Sequence, residues 1–178
     1  MKNGQAFLMI NFDTPDIISK IQKSIPEEEL YTDGSADYGI ENETLVTVVP
    51  CLKNDTDLGL LKTYLKDISR YKTILTNISV FKNEDYDVLK CDAQSVVLKD
   101  TNSKIVKDFE TQSEYPNYHP HVTIAYLKSG MADKYTKEYL MPLVILEPKE
   151  FHYSYYDKEG NHKDIKFVNW LIHFFPLY

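Results

Sequence analysis

Strand-like runs cluster along this chain instead of alternating with helices, and that order narrows the fold more than any other feature. Residues 74–81, 86–91 and 95–99 read as three successive strands separated by Asn/Glu/Asp and Asp/Ala/Gln turns. Further strands are predicted over 6–12, 45–49, 121–127, 144–146, 150–156 and 164–170, the last two as a hairpin about Glu159-Gly160-Asn161. One helix is predicted over 15–24, with Thr14 as N-cap and Pro15 at the first helical position. A second follows the Asn54-Asp55-Thr56-Asp57 cap and carries Leu58, Leu61, Leu65 and Ile68 at three- and four-residue spacing. Short helices are predicted from Thr101 and over 132–139, and residues 26–37, acidic and without periodicity, as a mobile loop. Such an order lacks the strict alternation of a parallel sheet, so the predicted class is α+β, one domain of two small lobes over residues 1–178.

Charge and composition then restrict the function. The formal net charge of −7 argues against a general duplex-DNA binder, whose affinity comes from Lys and Arg neutralising phosphates. A small anionic ligand needs only a few local donors in a cleft, which an acidic protein can supply. Cys51 and Cys91 show no metal spacing and no C-x-x-C pattern, so reduced structural thiols are expected. The amino-terminal apolar stretch is too short for a signal sequence and no run approaches eighteen apolar residues, so a soluble, cytoplasmic protein without membrane contact is expected. The 14 tyrosines exceed what a core asks for; they suit base stacking, or reflect a Lys/Asn/Ile/Tyr-rich genome. No glycine pattern for a nucleoside triphosphate or dinucleotide and no H-x-x-x-H or H-E-x-x-H pattern is present, so no cofactor and no metal are expected.

The segment Asn117 to Lys128, NYHPHVTIAYLK, carries the chemistry. Residues i and i+2 of a strand share a face, so His121 and Thr123 project together while Val122 and Ile124 face the core. An imidazole can move a proton to or from an ester oxygen, and the neighbouring hydroxyl can hydrogen-bond a non-bridging phosphate oxygen. Taken alone, the pair reads equally well as the polar face of a half-buried strand. His119 precedes a proline and is read as shaping the loop; His152, His162 and His173 share no spacing and receive no role.

The run DYDVLKCDAQSVVLKD followed by PNYHPHVTIAYLK resembles the second half of the 2H phosphoesterase superfamily, in particular its 2′,5′-RNA ligase-like branch, and the likeness extends over most of the chain. The family carries two His-x-Thr/Ser motifs on facing strands of two related lobes. Its members cleave or form 2′-linked and cyclic phosphodiesters without a metal. Residues 38–49, YGIENETLVTVV, are similar to the first motif, with Leu45 where the resemblance calls for histidine and Thr47 where it calls for the hydroxyl. The resemblance implies two pseudo-symmetric lobes, each an antiparallel sheet with helices, facing across a central cleft. It implies His121 as one proton carrier and Thr47 and Thr123 as phosphate clamps; Tyr126 and Lys128, near the end of the same strand, are read with Tyr38 as candidate substrate contacts.

The substrate class so implied is a small nucleotide or short oligonucleotide: 2′,5′-linked oligonucleotides, 2′,3′-cyclic phosphates or cyclic oligonucleotide messengers. By analogy, members that destroy antiviral nucleotide signals suggest a viral enzyme acting as a monomer in the host cytoplasm. Leucine cannot carry a proton, so the chain as written is expected to be impaired, losing about 10²- to 10⁴-fold of rate. Three explanations stay open: an engineered inactive form, a natural pseudoenzyme, or a neighbour such as Tyr38, Glu41 or Glu43 taking over. The rival function is a sponge that binds a nucleotide without cleaving it. A third is an interaction protein that kept the fold and lost the site.

Overall fold

A computed structural model describes residues 5–168, apart from 36, 54, 69–71, 112–116 and 158. Twelve elements follow in order: β1 (Gln5–Phe12), α1 (Asp16–Ser24), β2 (Thr44–Lys53), α2 (Leu58–Ile68), β3 (Thr73–Lys82), β4 (Tyr86–Gln94), α3 (Val96–Asp108), β5 (His121–Lys128), α4 (Asp133–Glu138), β6 (Val144–Leu146), β7 (Glu150–Tyr156) and β8 (His162–Val168). The strands form one antiparallel sheet in the order β6-β3-β4-β5-β2-β1-β7-β8. This is the α+β class read from the element order.

The sheet divides into two halves of four strands that meet at β2 and β5. Each half contains the same strand-helix-strand unit, β1-α1-β2 in one and β4-α3-β5 in the other, with the two strands paired antiparallel. An approximate two-fold axis between β2 and β5 therefore exchanges β1 with β4, β7 with β3 and β8 with β6. The two lobes implied by the resemblance are these halves, joined into one continuous sheet.

Alternation along the strands decides which face is buried. In β1, Ala6, Leu8, Ile10 and Phe12 are buried and their neighbours are not. Val46, Val48, Leu89, Cys91, Val122 and Ile124 extend the same apolar layer across the sheet, and it joins Ile18, Ile21, Leu61, Leu65, Leu98 and Ile105 of the helices in one core. The opposite face carries the intervening residues, polar and apolar, among them Phe7, Met9, Asn11, Leu45 and Thr47. No helix among the described residues is long and apolar enough to cross a membrane.

Several local expectations change. Pro15 is the N-cap of α1, and Thr14 instead accepts a hydrogen bond from the Thr44 hydroxyl at 2.9 Å. The cap of α2 falls on Asp57, whose Oδ1 accepts from the Gly59 and Leu60 amides; Asn54 lies outside the described residues. The strand predicted over 95–99 is the first turn of α3, and Thr101 lies inside that helix instead of starting it. Two effects outweigh the β-propensity of Val96 and Val97. Ser95 caps the helix by accepting from the Leu98 amide, and Leu98, Thr101, Asn102 and Ile105 are buried at helical spacing, while Val96 is left 78% exposed.

Asn102 uses its place on the buried side of α3 to donate from Nδ2 to the Val48 carbonyl at 2.7 Å, tying the helix to β2 beside the sheet centre. Asn102→Ala removes this buried bond and is expected to cost about 1–3 kcal/mol. Urea unfolding checks this; a change below about 0.5 kcal/mol would mean that the bond contributes little.

Residues 26–37, predicted as a mobile loop, are docked along β5 where described. A 3₁₀ turn at Glu27–Glu29 places Glu29 Oε2 to accept from the Tyr135 hydroxyl at 2.8 Å. Leu30 then bridges to Leu127, Ile40 bridges to Ala125, and the Tyr31 and Glu41 amides donate to the Tyr126 and Ile124 carbonyls. Gly39 closes this run with φ of 94°, a left-handed conformation that glycine adopts without steric cost, and its carbonyl accepts from the Tyr126 amide at 2.8 Å.

Candidate active site on the open face of the sheet

Val46 and Val122 are paired where β2 meets β5, both fully buried on the helix side. In an antiparallel pair their neighbours are opposite one another on the other face, so Thr47 stands across from His121 and Leu45 across from Thr123. The four positions singled out in the sequence thus come together on the open face at the junction of the two halves. Thr47 belongs to one half and His121 to the other, 74 positions apart by number.

His121 is fixed by its own loop. Its Nδ1 lies 2.7 Å from the His119 carbonyl oxygen. A carbonyl can only accept, so Nδ1 carries the proton, and the neutral ring keeps its lone pair on Nε2. Phe81 on β3 meets the ring edge-on, with centroids 5.0 Å apart. Burial is the main cause that holds the imidazole below its ordinary pKa of 6.5, Lys90 and His119 adding to that shift while the His119 carbonyl bond and the Asp92 charge oppose it. At neutral pH the ring is therefore a neutral base. Tyr118 secures the same loop on the opposite strand by donating from its hydroxyl to the Thr47 carbonyl at 2.9 Å.

Tyr126 reaches this face because the strand breaks its alternation. Between Lys90 and Leu89 of β4 the partner advances from Thr123 to Ala125, so Ile124 is an extra residue in β5. Ile124 and Ala125 are both buried, the phase resets, and Tyr126 emerges on the side of His121 and Thr123. Strict alternation gives Tyr126 the wrong parity. Around it gather Tyr38, Tyr86 and Tyr31, with centroid distances of 5.2 Å from Tyr38 to Tyr126, 5.8 Å from Tyr86 to Tyr126 and 5.0 Å from Tyr31 to both Tyr38 and Tyr86. Burial pushes the Tyr126 phenol up to about 12, so it remains a neutral hydrogen-bond donor. Lys128 lies at the end of the strand, opposite Tyr86, and its ammonium donates to the Glu28 carbonyl at 2.6 Å.

Of the neighbours considered as substitutes for a proton carrier, Glu43 is exposed, and Glu41 sits between Ile124 and the start of β2. The Glu41 carboxyl accepts from the Glu43 amide at 3.2 Å, and burial raises its pKa above the usual carboxylate value. Tyr38 is held within the tyrosine group. Elsewhere on the open face, His152 lies between Glu150 and Asp164, at 2.8 and 3.2 Å, and His162 bonds to Ser154 at 2.7 Å. His173 falls outside the described residues.

Sequence reasoning missed the strand beside His121. Lys90 faces Thr123 and Asp92 faces His121 across the β4–β5 ladder, and Lys90 is only 4% exposed. Their signal was present as two charged residues at i and i+2 inside the apolar run Val88-Leu89-Lys90-Cys91-Asp92-Ala93, a spacing that brings both to one face.

A continuous antiparallel sheet of two related halves, with the helices on one side, is a fold that this chain shares with solved structures. The structure is similar to that of Usb1 from Kluyveromyces marxianus, with a TM-score of 0.53 and 12% identity over 93% of this chain and 98% of that one. A second structure of that protein, with uridine monophosphate, matches with a TM-score of 0.51 and 12% identity over 93% of this chain and 98% of that one. LigT from E. coli complexed with 3′-AMP gives 0.47 and 14% identity over 93% of this chain and 96% of that one. No family model matches the chain, and a search of curated proteins found no match.

Proposed function

We propose that this chain is a phosphodiesterase of the 2H type for small RNA-like nucleotides: 2′,5′-linked oligonucleotides, 2′,3′-cyclic phosphates or cyclic oligonucleotide messengers. The observation that carries the reading is the junction of β2 and β5, where a neutral imidazole with a free Nε2 lies between two threonines on one face. His121 withdraws a proton from the attacking hydroxyl or water, and the Thr47 and Thr123 hydroxyls hold the non-bridging phosphate oxygens. The leaving oxygen needs a proton from the other side of phosphorus, where Leu45 offers none. Tyr38 and Tyr126 supply ring faces and edges for a base, and Lys128 a cation at the mouth once it leaves the Glu28 carbonyl. The uridine monophosphate held by Usb1, a protein of this fold, agrees with a nucleotide ligand.

A nucleotide sponge is the second reading, favoured by Leu45 itself: the clamps and the tyrosines can bind what an incomplete pair of proton carriers does not cleave. A viral protein that removes host nucleotide signals could use either activity. Calorimetric titration of the unaltered chain with dinucleotides of defined linkage and with cyclic dinucleotides tests both readings; absence of binding to every member of such a panel overturns them together.

The proposed proton chemistry needs no metal, and no group of three or more His, Cys, Asp or Glu side chains that could hold one occurs among the described residues. Cleavage by a Leu45→His form is expected to survive EDTA unchanged. Reversible loss in EDTA, restored by Mn²⁺ or Zn²⁺, would show that a metal carries the chemistry.

A further inference from the structure

The strand pairs on the two sides of the approximate two-fold axis differ in one respect. On β4, Asp92 stands opposite His121 and Lys90 opposite Thr123. The corresponding residues of β1 are Asn11 opposite Leu45 and Met9 opposite Thr47. The half that has the imidazole has a charged pair behind it, and the half that has leucine has a neutral pair in the same places.

The charged pair is tightly held. Lys90 Nζ donates to Asp92 Oδ1 at 2.5 Å and to the Ser79 hydroxyl at 2.6 Å, and Ser79 in turn donates to the same Asp92 oxygen at 2.8 Å. The ammonium also lies over the Phe81 ring, 4.1 Å from its centroid, and that ring is the one that meets His121 edge-on. A lysine with so little exposure and its donors committed to Asp92 and Ser79 is not placed to catch a ligand. Its position acts on the neighbouring strand.

We infer that Lys90 and Asp92, locked together by Ser79, are positioning residues for His121: the pair keeps a carboxylate beside the imidazole and an ammonium on that carboxylate, so that the ring stays neutral yet has a counter-charge when it takes a proton. Without the ammonium, Asp92 would hold the protonated ring and spoil it as a base. Without the carboxylate, the ammonium would oppose protonation altogether. The groups that face His121 among the described residues are Asp92 and Lys90 from β4, Phe81 from β3, the uncharged Thr47 and Leu45 from β2, and His119 with Tyr118 from its own loop. Apart from the titratable His119, whose charge also lowers the His121 pKa, the charged members are those of the β4 pair. This inference rests on the reading of His121 as a proton carrier.

The test follows the His121 ring by NMR as a function of pH, in the full chain and without any nucleotide. Lys90→Met is expected to raise the His121 titration midpoint by about one unit or more, and Asp92→Asn to lower it by a similar amount, while Lys90→Arg stays near the value of the unaltered chain. In a Leu45→His chain, the imidazole introduced at position 45 should titrate independently of Lys90→Met. Dispersed amide spectra establish that each variant is folded; Asp92→Asn, nearly isosteric, keeps the test open if Lys90→Met does not fold. Midpoints of His121 that move by less than about 0.3 unit in the folded variants, or that move alike in Lys90→Met and Lys90→Arg, overturn the inference. The acid limb of cleavage by the Leu45→His chain should shift with the same variants. If the midpoints shift and no nucleotide is cleaved, the positioning role stands and the enzymatic reading falls.

Discussion

Replacing Leu45 by histidine is expected to raise cleavage of a 2′,5′-linked or cyclic oligonucleotide by about 10²- to 10⁴-fold, the range for regaining a general acid or base. Position 45 faces Thr123 across the β2–β5 junction, so an imidazole there enters the open face beside the existing base. Its predicted task is the missing one, protonation of the leaving oxygen, because the His121 ring is already arranged as the acceptor. Nucleotide affinity should change much less, since the threonines and tyrosines are untouched. Adding His121→Ala should abolish the gain, because one proton carrier cannot serve both the attacking and the leaving oxygen. Chromatographic assay of the products decides the matter. A Leu45→His protein that binds nucleotides tightly and cleaves none of them would leave the sponge as the function.

Binding should depend most strongly on the tyrosines. Tyr126→Ala is expected to weaken nucleotide affinity by about 5- to 150-fold, from the 1–3 kcal/mol that stacking contributes per base, and Tyr38→Ala by a comparable factor. Tyr126→Phe should stay within about threefold of the unaltered chain if the ring is what matters. Since Tyr38 touches Tyr31, Tyr86 and Tyr126, the double variant should lose less than the sum of the single losses. Isothermal titration with a dinucleotide measures all of these. Unchanged affinity in Tyr126→Ala would place the base elsewhere on the sheet.

The sequence was most legible where alternation is unbroken. The His121 to Ile124 stretch has the expected phase, and the position of Thr47 follows once Val46 is recognised as buried. Legibility failed at points where a local event changes the count. Ile124 is buried without a partner in the opposing register, which moves Tyr126 to the face that strict parity denied it. Val96 and Val97 look like strand residues, but the Ser95 cap and the spacing of Leu98, Thr101, Asn102 and Ile105 make that segment helical. Residues 26–37 lack periodicity because their order comes from contacts with β5, which no local pattern encodes. Lys90 and Asp92 went unread for a related reason: their meaning lies in which residues stand across the ladder.

The ladder between β2 and β5 is reduced to Val46 and Val122, while each half of the sheet is stitched internally by long ladders. The two threonines proposed as phosphate clamps, Thr47 and Thr123, lie on opposite sides of this seam. A phosphate gripped by both would act as a rivet across the least reinforced line of the sheet, and part of its binding energy would appear as resistance of the whole domain to unfolding. Recognition and mechanical integrity would then be one event, with the ligand completing a structure that the backbone leaves narrowly joined.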